Sequence, residues 1–166
     1  DENGEITYSV IAPETLLPKG IIESYRVICG WVIDGLKNLD INASFAPIND
    51  IIVNGRKISG NAQTRKSRIV LQHGTVLYDL KTETMFSLLK ISSEKLSDKM
   101  IKSAEERVTS VLNCRKVSQE ETYEALLKGF TKGKDYEFGK MSSEEAKRAD
   151  GLSASLFKTD EWNFMR

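Results

Sequence analysis

Ile6, Tyr8 and Val10 alternate with Thr7 and Ser9, the period-two pattern of a half-buried strand. The period then changes. Ile21, Tyr25, Ile28, Val32, Leu36 and Leu39 recur at spacings of three and four, which places them on one apolar stripe of a helix. With Pro18 in the first turn, this predicts a helix of about five turns, with Trp31 on its flank as a core residue. The stretch Lys37-Asn38-Leu39-Asp40 ends it. Ile41 to Phe45 reads as a short strand or loop, and Pro47 keeps Ala46 extended. Two apolar runs follow, Ile51-Ile52-Val53 and Ile69-Val70-Leu71. Asn54-Gly55 after the first asks for a type I′ hairpin, in which both central residues take φ > 0. The return strand carries Lys57 and the small pair Ser59-Gly60. The second run ends in His73-Gly74-Thr75, and Tyr78-Asp79-Leu80 closes the sheet.

Helices are predicted next from Thr82 to Leu89 and from Ser93 to Ser103. Ser118-Gln119-Glu120-Glu121 and Ser142-Ser143-Glu144-Glu145 both have the capping-box form, in which each end satisfies the other's backbone N–H. The first opens an amphipathic helix through Tyr123, Leu126, Leu127 and Phe130 that closes near Gly133. The second opens a helix running to about Phe157. Tyr136 and Phe138 alternate between them like a strand. This order of elements predicts an α+β fold with a mixed, largely antiparallel sheet packed with helices.

Composition narrows the function. At 166 residues, with no repeat and no long linker, the chain is expected to form a single domain over residues 1–166. Its formal net charge is zero, which argues against a broad grip on nucleic acid or anionic lipid. No apolar run approaches the ~18 residues of a membrane span, and DENGEITYSV is no signal peptide. Cys29 and Cys114 lack any paired spacing, so a reduced, cytoplasmic location is expected. There is no Walker-type loop, and no Gly-x-Gly-x-x-Gly follows a strand.

The candidate chemistry centres on Lys57, two residues past a rigid turn. Gly60 in the same strand marks a bulge, or a place where a ligand or another backbone comes close. A fixed cation beside such a glycine suits an anion, and spacing alone equally allows a solvated hairpin lysine. His73, the sole histidine in the sequence, reads as a structural residue or a general base. Asp50 and Asn49 read as turn and cap residues or as ligands of a nucleotide.

The run Asn49-Asp50-Ile51-Ile52-Val53-Asn54-Gly55-Arg56-Lys57-Ile58-Ser59-Gly60-Asn61-Ala62-Gln63, followed by Gln72-His73-Gly74-Thr75, resembles the central signature of lipoate–protein ligases. That family attaches lipoic acid to a carrier-domain lysine by way of lipoyl-adenylate. Asp98 to Val108 and Glu161-Trp162-Asn163-Phe164 resemble two later family segments, so the likeness covers nearly the whole chain. Asp1 resembles the aspartate that closes the family's glycine-rich nucleotide loop. The chain is therefore expected to be N-terminally incomplete, and to carry no separate C-terminal accessory domain.

The resemblance implies the biotin/lipoate ligase fold, with ATP and Mg²⁺ as cofactors and lipoate as substrate. Lys57 would touch the lipoyl carbonyl and the phosphate, because a lysine ammonium is a compact charge with three donors. Asp50 would sit near Mg²⁺ and, with Asn49, near the nucleotide. Ser59, Gly60 and Ala62 would form a narrow acyl slot, with Gly74 and Thr75 as walls and His73 available to the transfer step. Expected partners are lipoyl carrier domains of 2-oxoacid dehydrogenases or the glycine-cleavage H-protein, and a separate small accessory protein.

One alternative is the related octanoyltransferase class, which moves an acyl group from acyl carrier protein through a cysteine thioester. Ile6 to Pro13 and Gln63-Thr64-Arg65 resemble that class too. Against it, Cys29 and Cys114 have no evident base, and Ser44 without one is a weak nucleophile. A non-catalytic accessory domain is the remaining alternative.

Overall fold

Two tight turns with left-handed backbone build the sheet. Asn54 (φ 50°) and Gly55 (φ 76°) join β3 (Asp50–Val53) to β4 (Arg56–Lys66), as the Asn-Gly pair predicts. Ser67 (φ 52°) and Arg68 (φ 63°) join β4 to β5 (Ile69–Leu77) in the same way. Neither residue of that second turn is one that favours positive φ, so the long strands on either side must hold it. β1 (Glu5–Pro13) pairs with β5, and the short β2 (Ser44–Ala46) pairs with β3. All pairings are antiparallel, in the order β1-β5-β4-β3-β2. The computed structural model describes residues 3–80 and 106–165; the helices expected at 82–89 and 93–103 lie outside them.

Helix α1 (Ile21–Lys37) lies under one face of the sheet. Ile28, Cys29, Val32 and Leu36 of the predicted stripe are fully buried. Each large apolar side chain so buried is worth about 1.5–3 kcal/mol. Pro18 precedes the helix instead of occupying its first turn, because the N-cap is Gly20. After the short α2 (Val111–Cys114) comes α3 (Gln119–Thr131), whose capping box at Ser118 and Glu121 forms as expected. The Ser118 backbone N–H and hydroxyl hold the Glu121 carboxyl below its ordinary range. α3 crosses α1 where Gly129 meets Gly35 backbone to backbone. Half-buried Trp31 packs edge-on against Phe130, with ring centroids 6.1 Å apart, in line with its predicted core role.

The chain divides into two compact units, Asp1–Gly133 and Lys134–Arg166. The second consists of α4 (Ser143–Leu152), a π-helical turn (Ser153–Phe157) and α5 (Asp160–Asn163). Its capping box at Ser142 and Glu145 also forms, and the helical run reaches Phe157 as predicted. Tyr136 and Phe138 do not form a strand. Alternation alone cannot make one without a partner ladder, and the two rings pack on each other at 5.7 Å instead.

Candidate active site

β4 is irregular where it matters. Ile51 stands opposite Ser59 and Ile52 opposite Lys57, so Ile58 is an extra residue without a partner in β3. In a regular strand, residues three apart point to opposite faces. The bulge turns Ile58 into the core, fully buried beside Ile51 and Val53, and brings Lys57 and Gly60 to the same face. Lys57 then lies over Gly60: a Cβ built there would stand 2.8 Å from Lys57 Cε and 2.9 Å from Nζ. Gly60 is indeed a close-approach glycine, and the approaching group is the chain's own lysine. Gly60→Ala should therefore displace the ammonium, weakening any anion binding at this seat about tenfold or more in a titration, with Tm nearly unchanged in a thermal melt.

The Lys57 backbone is held on both sides. β3 lies on one. On the other, past the end of β5, Lys57 N–H donates to the Arg107 carbonyl and its own carbonyl accepts from Thr109 N–H, both at 2.8 Å. Lys57 Nζ reaches Asp50 Oδ1 at 2.7 Å, with the two side chains 41% and 33% exposed. Such a pair adds only about 0–1 kcal/mol to stability. Its consequence is positional: the ammonium has one seat, with Gly60 beneath it and Asp50 beside it.

Strand register sorts the other predicted residues by face. Gly60 stands opposite Thr75 and Ala62 opposite His73. These four share the face turned away from α1, where Ala62 and His73 are exposed. Ser59 and Gly74, also expected at the acyl slot, lie on the opposite, buried face, so the six residues do not share one surface. Ser59 is fully buried, and its hydroxyl has no hydrogen-bond partner among the described residues. A Cβ at Gly74 would stand 2.1 Å from Asn61 Oδ1 and 2.7 Å from the Tyr8 ring. Asn49 fastens the loop before β3. Its side-chain amide donates to the Asn61 carbonyl, and Asn61 Nδ2 donates back to the Asn49 carbonyl at 2.8 Å.

Among the described residues no three His, Cys, Asp or Glu side chains converge as a metal cage. Asp50 supplies one carboxylate, and Lys57 occupies one of its oxygens. A Mg²⁺ ion at Asp50 would draw its other ligands from phosphate and water, as that ion commonly does. Nor does any thiol touch the Lys57–Asp50 pair among the described contacts. Cys29 is fully buried on α1, 3.8 Å from Gln72 Nε2, and burial pushes its thiol up to about 11 from an ordinary 9.0. Folding thus favours the protonated thiol, so stability is full below pH 9.0 and falls as pH rises from there toward about 11. Cys114 is exposed, and the fold brings it closer to Lys57 than its place in the sequence implies. Its sulfur lies 3.7 Å from Thr109 Oγ1, next to the segment that flanks Lys57. A thiol reagent at pH 8 should modify Cys114 alone in the native protein and both cysteines in denaturant, as read by mass. Rapid native labelling of Cys29 would contradict this packing.

Residues 1–131 match the model of the lipoyl protein ligase A/B catalytic domain. The chain belongs to that family. The lipoyl ligase A/B domain is 34% identical to octanoyltransferase LipM of Geobacillus kaustophilus and 30% identical to LipM of Bacillus subtilis. Each match covers 98% of this chain and 69% of the relative. Among solved structures it is similar to a bipartite lipoate protein ligase system from Thermoplasma acidophilum, with TM-score 0.87 and 27% identity. That match covers 96% of this chain and 64% of the other, so the chain spans less than two thirds of that protein's length. A biotin protein ligase from Aquifex aeolicus shares the fold at TM-score 0.55 and 13% identity. The expected α+β ligase-type fold is thereby borne out.

Proposed function

We propose that this domain transfers an octanoyl group from a thioester on acyl carrier protein to the ε-amine of a lysine on a lipoyl carrier domain, with Lys57 at the acyl carbonyl. The seat of Lys57 over Gly60 is the observation that carries this reading. When an amine attacks an acyl carbonyl, negative charge grows on the oxygen. A fixed ammonium stabilises that charge through a charge-assisted hydrogen bond worth about 1.5–3 kcal/mol. The amide bond forms, the thioester bond breaks, and the carrier thiolate leaves and takes a proton. The attacking amine must lose a proton, and His73 on the same face is the imidazole able to accept it. The octanoyltransferase relatives support an acyl-carrier donor. Carrier domains of 2-oxoacid dehydrogenases and the glycine-cleavage H-protein are the acceptors in this reading.

A second reading keeps the acceptor and changes the donor. Lipoate would be activated with ATP, its carboxylate attacking the α-phosphorus as pyrophosphate leaves, and AMP would leave on transfer. The lack of a thiol against Lys57 among the described contacts favours it, since an acyl-enzyme thioester has no evident place on that face. Here Asp50 would hold Mg²⁺, and a separate accessory chain would be the partner, by likeness to the bipartite neighbour.

The test is the mass of a purified lipoyl domain after incubation with the full-length protein. One arm holds octanoyl acyl carrier protein without nucleotide, the other lipoate with ATP and Mg²⁺. Octanoylation in the first arm supports the transferase. Modification in the second arm alone replaces it with the ligase, and no modification in either overturns both.

A further inference from the structure

A series of side-chain hydrogen bonds runs across the sheet on the face opposite Lys57. Arg65 Nε donates to Gln63 Oε1 at 3.2 Å, while Nη1 and Nη2 donate to the carbonyls of Lys19 and Pro18 at 3.0 and 3.1 Å. Gln63 Nε2 donates to Gln72 Oε1 at 2.9 Å, and Gln72 Nε2 donates to Tyr8 Oη at 3.2 Å. Tyr8 Oη donates to Asn61 Oδ1, and Asn61 Nδ2 donates to the Asn49 carbonyl at 2.8 Å. The series therefore ends on the backbone one residue before Asp50.

This series has a direction. The two ends of a Gln or Asn amide have the same shape, so only partners decide which way each points. A guanidinium cannot accept, so Gln63 must turn its oxygen to Arg65 and its NH₂ to Gln72. That choice fixes the Gln72 amide, then the Tyr8 proton, then the Asn61 amide. Gln72 is fully buried and Asn61 is 5% exposed, so a reversed amide would leave a buried group unpaired, at about 1–3 kcal/mol. Gly74 leaves the space in which Tyr8 and Asn61 meet.

We propose that Arg65, Gln63, Gln72 and Tyr8 are positioning residues, which through Asn61 hold Asn49 so that Asp50 meets Lys57. None of them touches the acyl group, and their effect on activity rests on the reading of Lys57 above. Gln63→Glu isolates the direction of the series. The carboxylate still accepts from Arg65 but cannot donate to Gln72. Gln72 must then reverse, Tyr8 turns its proton to Gln72, and Asn61 Oδ1 loses its donor. Tyr8→Phe breaks the same series downstream.

The test uses full-length protein, a lipoyl domain as acceptor, and octanoyl acyl carrier protein or octanoate with ATP and Mg²⁺ as donor. Each variant should lower kcat roughly tenfold, leave KM for the lipoyl domain within about twofold, and lose no more in combination than singly. In ¹⁵N spectra the side-chain NH₂ signals of Asn61 and Asn49 should move in Gln63→Glu. Additive losses, or unchanged kcat in both variants while Lys57→Ala is inactive, would overturn the proposal. So would unmoved Asn61 and Asn49 signals, whatever the activity. Full activity in Lys57→Ala would instead refute the reading of the site, with the spectra still reporting on the hydrogen-bond series.

Discussion

Lys57→Ala should slow acylation of a lipoyl domain by roughly a hundred- to a thousand-fold, the usual cost of removing a preorganised charge from a reacting oxygen. The loss should fall on kcat, because the ammonium matters most where charge develops. Stability should barely change. The ion pair to Asp50 is partly exposed, and the Lys57 backbone keeps its bonds to Arg107 and Thr109 in the variant. Lys57→Arg should rescue poorly, since the space over Gly60 is already filled to van der Waals contact by the narrower lysine. Near-normal kcat in Lys57→Ala with an intact fold would remove Lys57 from the chemistry.

Gly129→Ala should give a large loss of stability. The new Cβ would stand 2.3 Å from the Trp31 carbonyl oxygen and 2.4 Å from Gly35 N. Both are backbone atoms of α1 and cannot rotate aside, so α1 and α3 must part. That loosens the packing of Val32, Leu36 and Leu126, the core the sheet rests on. Overpacking of this kind costs about 1–3 kcal/mol, sometimes more, which is a fall in Tm of roughly 2–12 °C for a chain of this size. Alanine is a better helix former than glycine by about 1 kcal/mol, so the direction of the change separates packing from propensity. Gly30→Ala, in the same α1 helix with nothing within 4 Å of its Cβ, is the control and should be neutral or slightly stabilising. Equal behaviour of the two variants would contradict the close helix crossing.

Much of this was legible in the sequence, for particular reasons. Asn54-Gly55 announced its hairpin because those residues tolerate positive φ. Ser67-Arg68 makes the same kind of turn silently, because tertiary pairing imposes it. The capping boxes at Ser118 and Ser142 were readable because the motif is local. The strand at Tyr136 and Phe138 was misread because a strand is not local: it needs a partner. Lys57 and Gly60 were paired correctly, but their meeting depends on the bulge at Ile58, which no residue type signals. Ser59 and Gly74 were grouped with Gly60, Ala62 and Thr75 by adjacency in the chain, although alternate residues of a strand face opposite ways and the two lie on the other face. Cys114 touches Thr109 only five residues away, and that segment reaches Lys57 because the isolated bridge between Val108 and Lys57 is a long-range contact that no local pattern signals. The polar series from Arg65 to Asn49 was invisible for the same reason, since its members come from β1, β4, β5 and a loop.

The central claim is that the Lys57 ammonium, held above Gly60, meets the carbonyl end of the acyl group. A crystal structure of the full-length protein with bound octanoate tests it most directly. The account predicts a carboxylate oxygen about 2.7–2.9 Å from Lys57 Nζ, with the alkyl chain running along the face of Ala62 and Thr75. An octanoate bound elsewhere, with Lys57 still engaged only by Asp50, would contradict it.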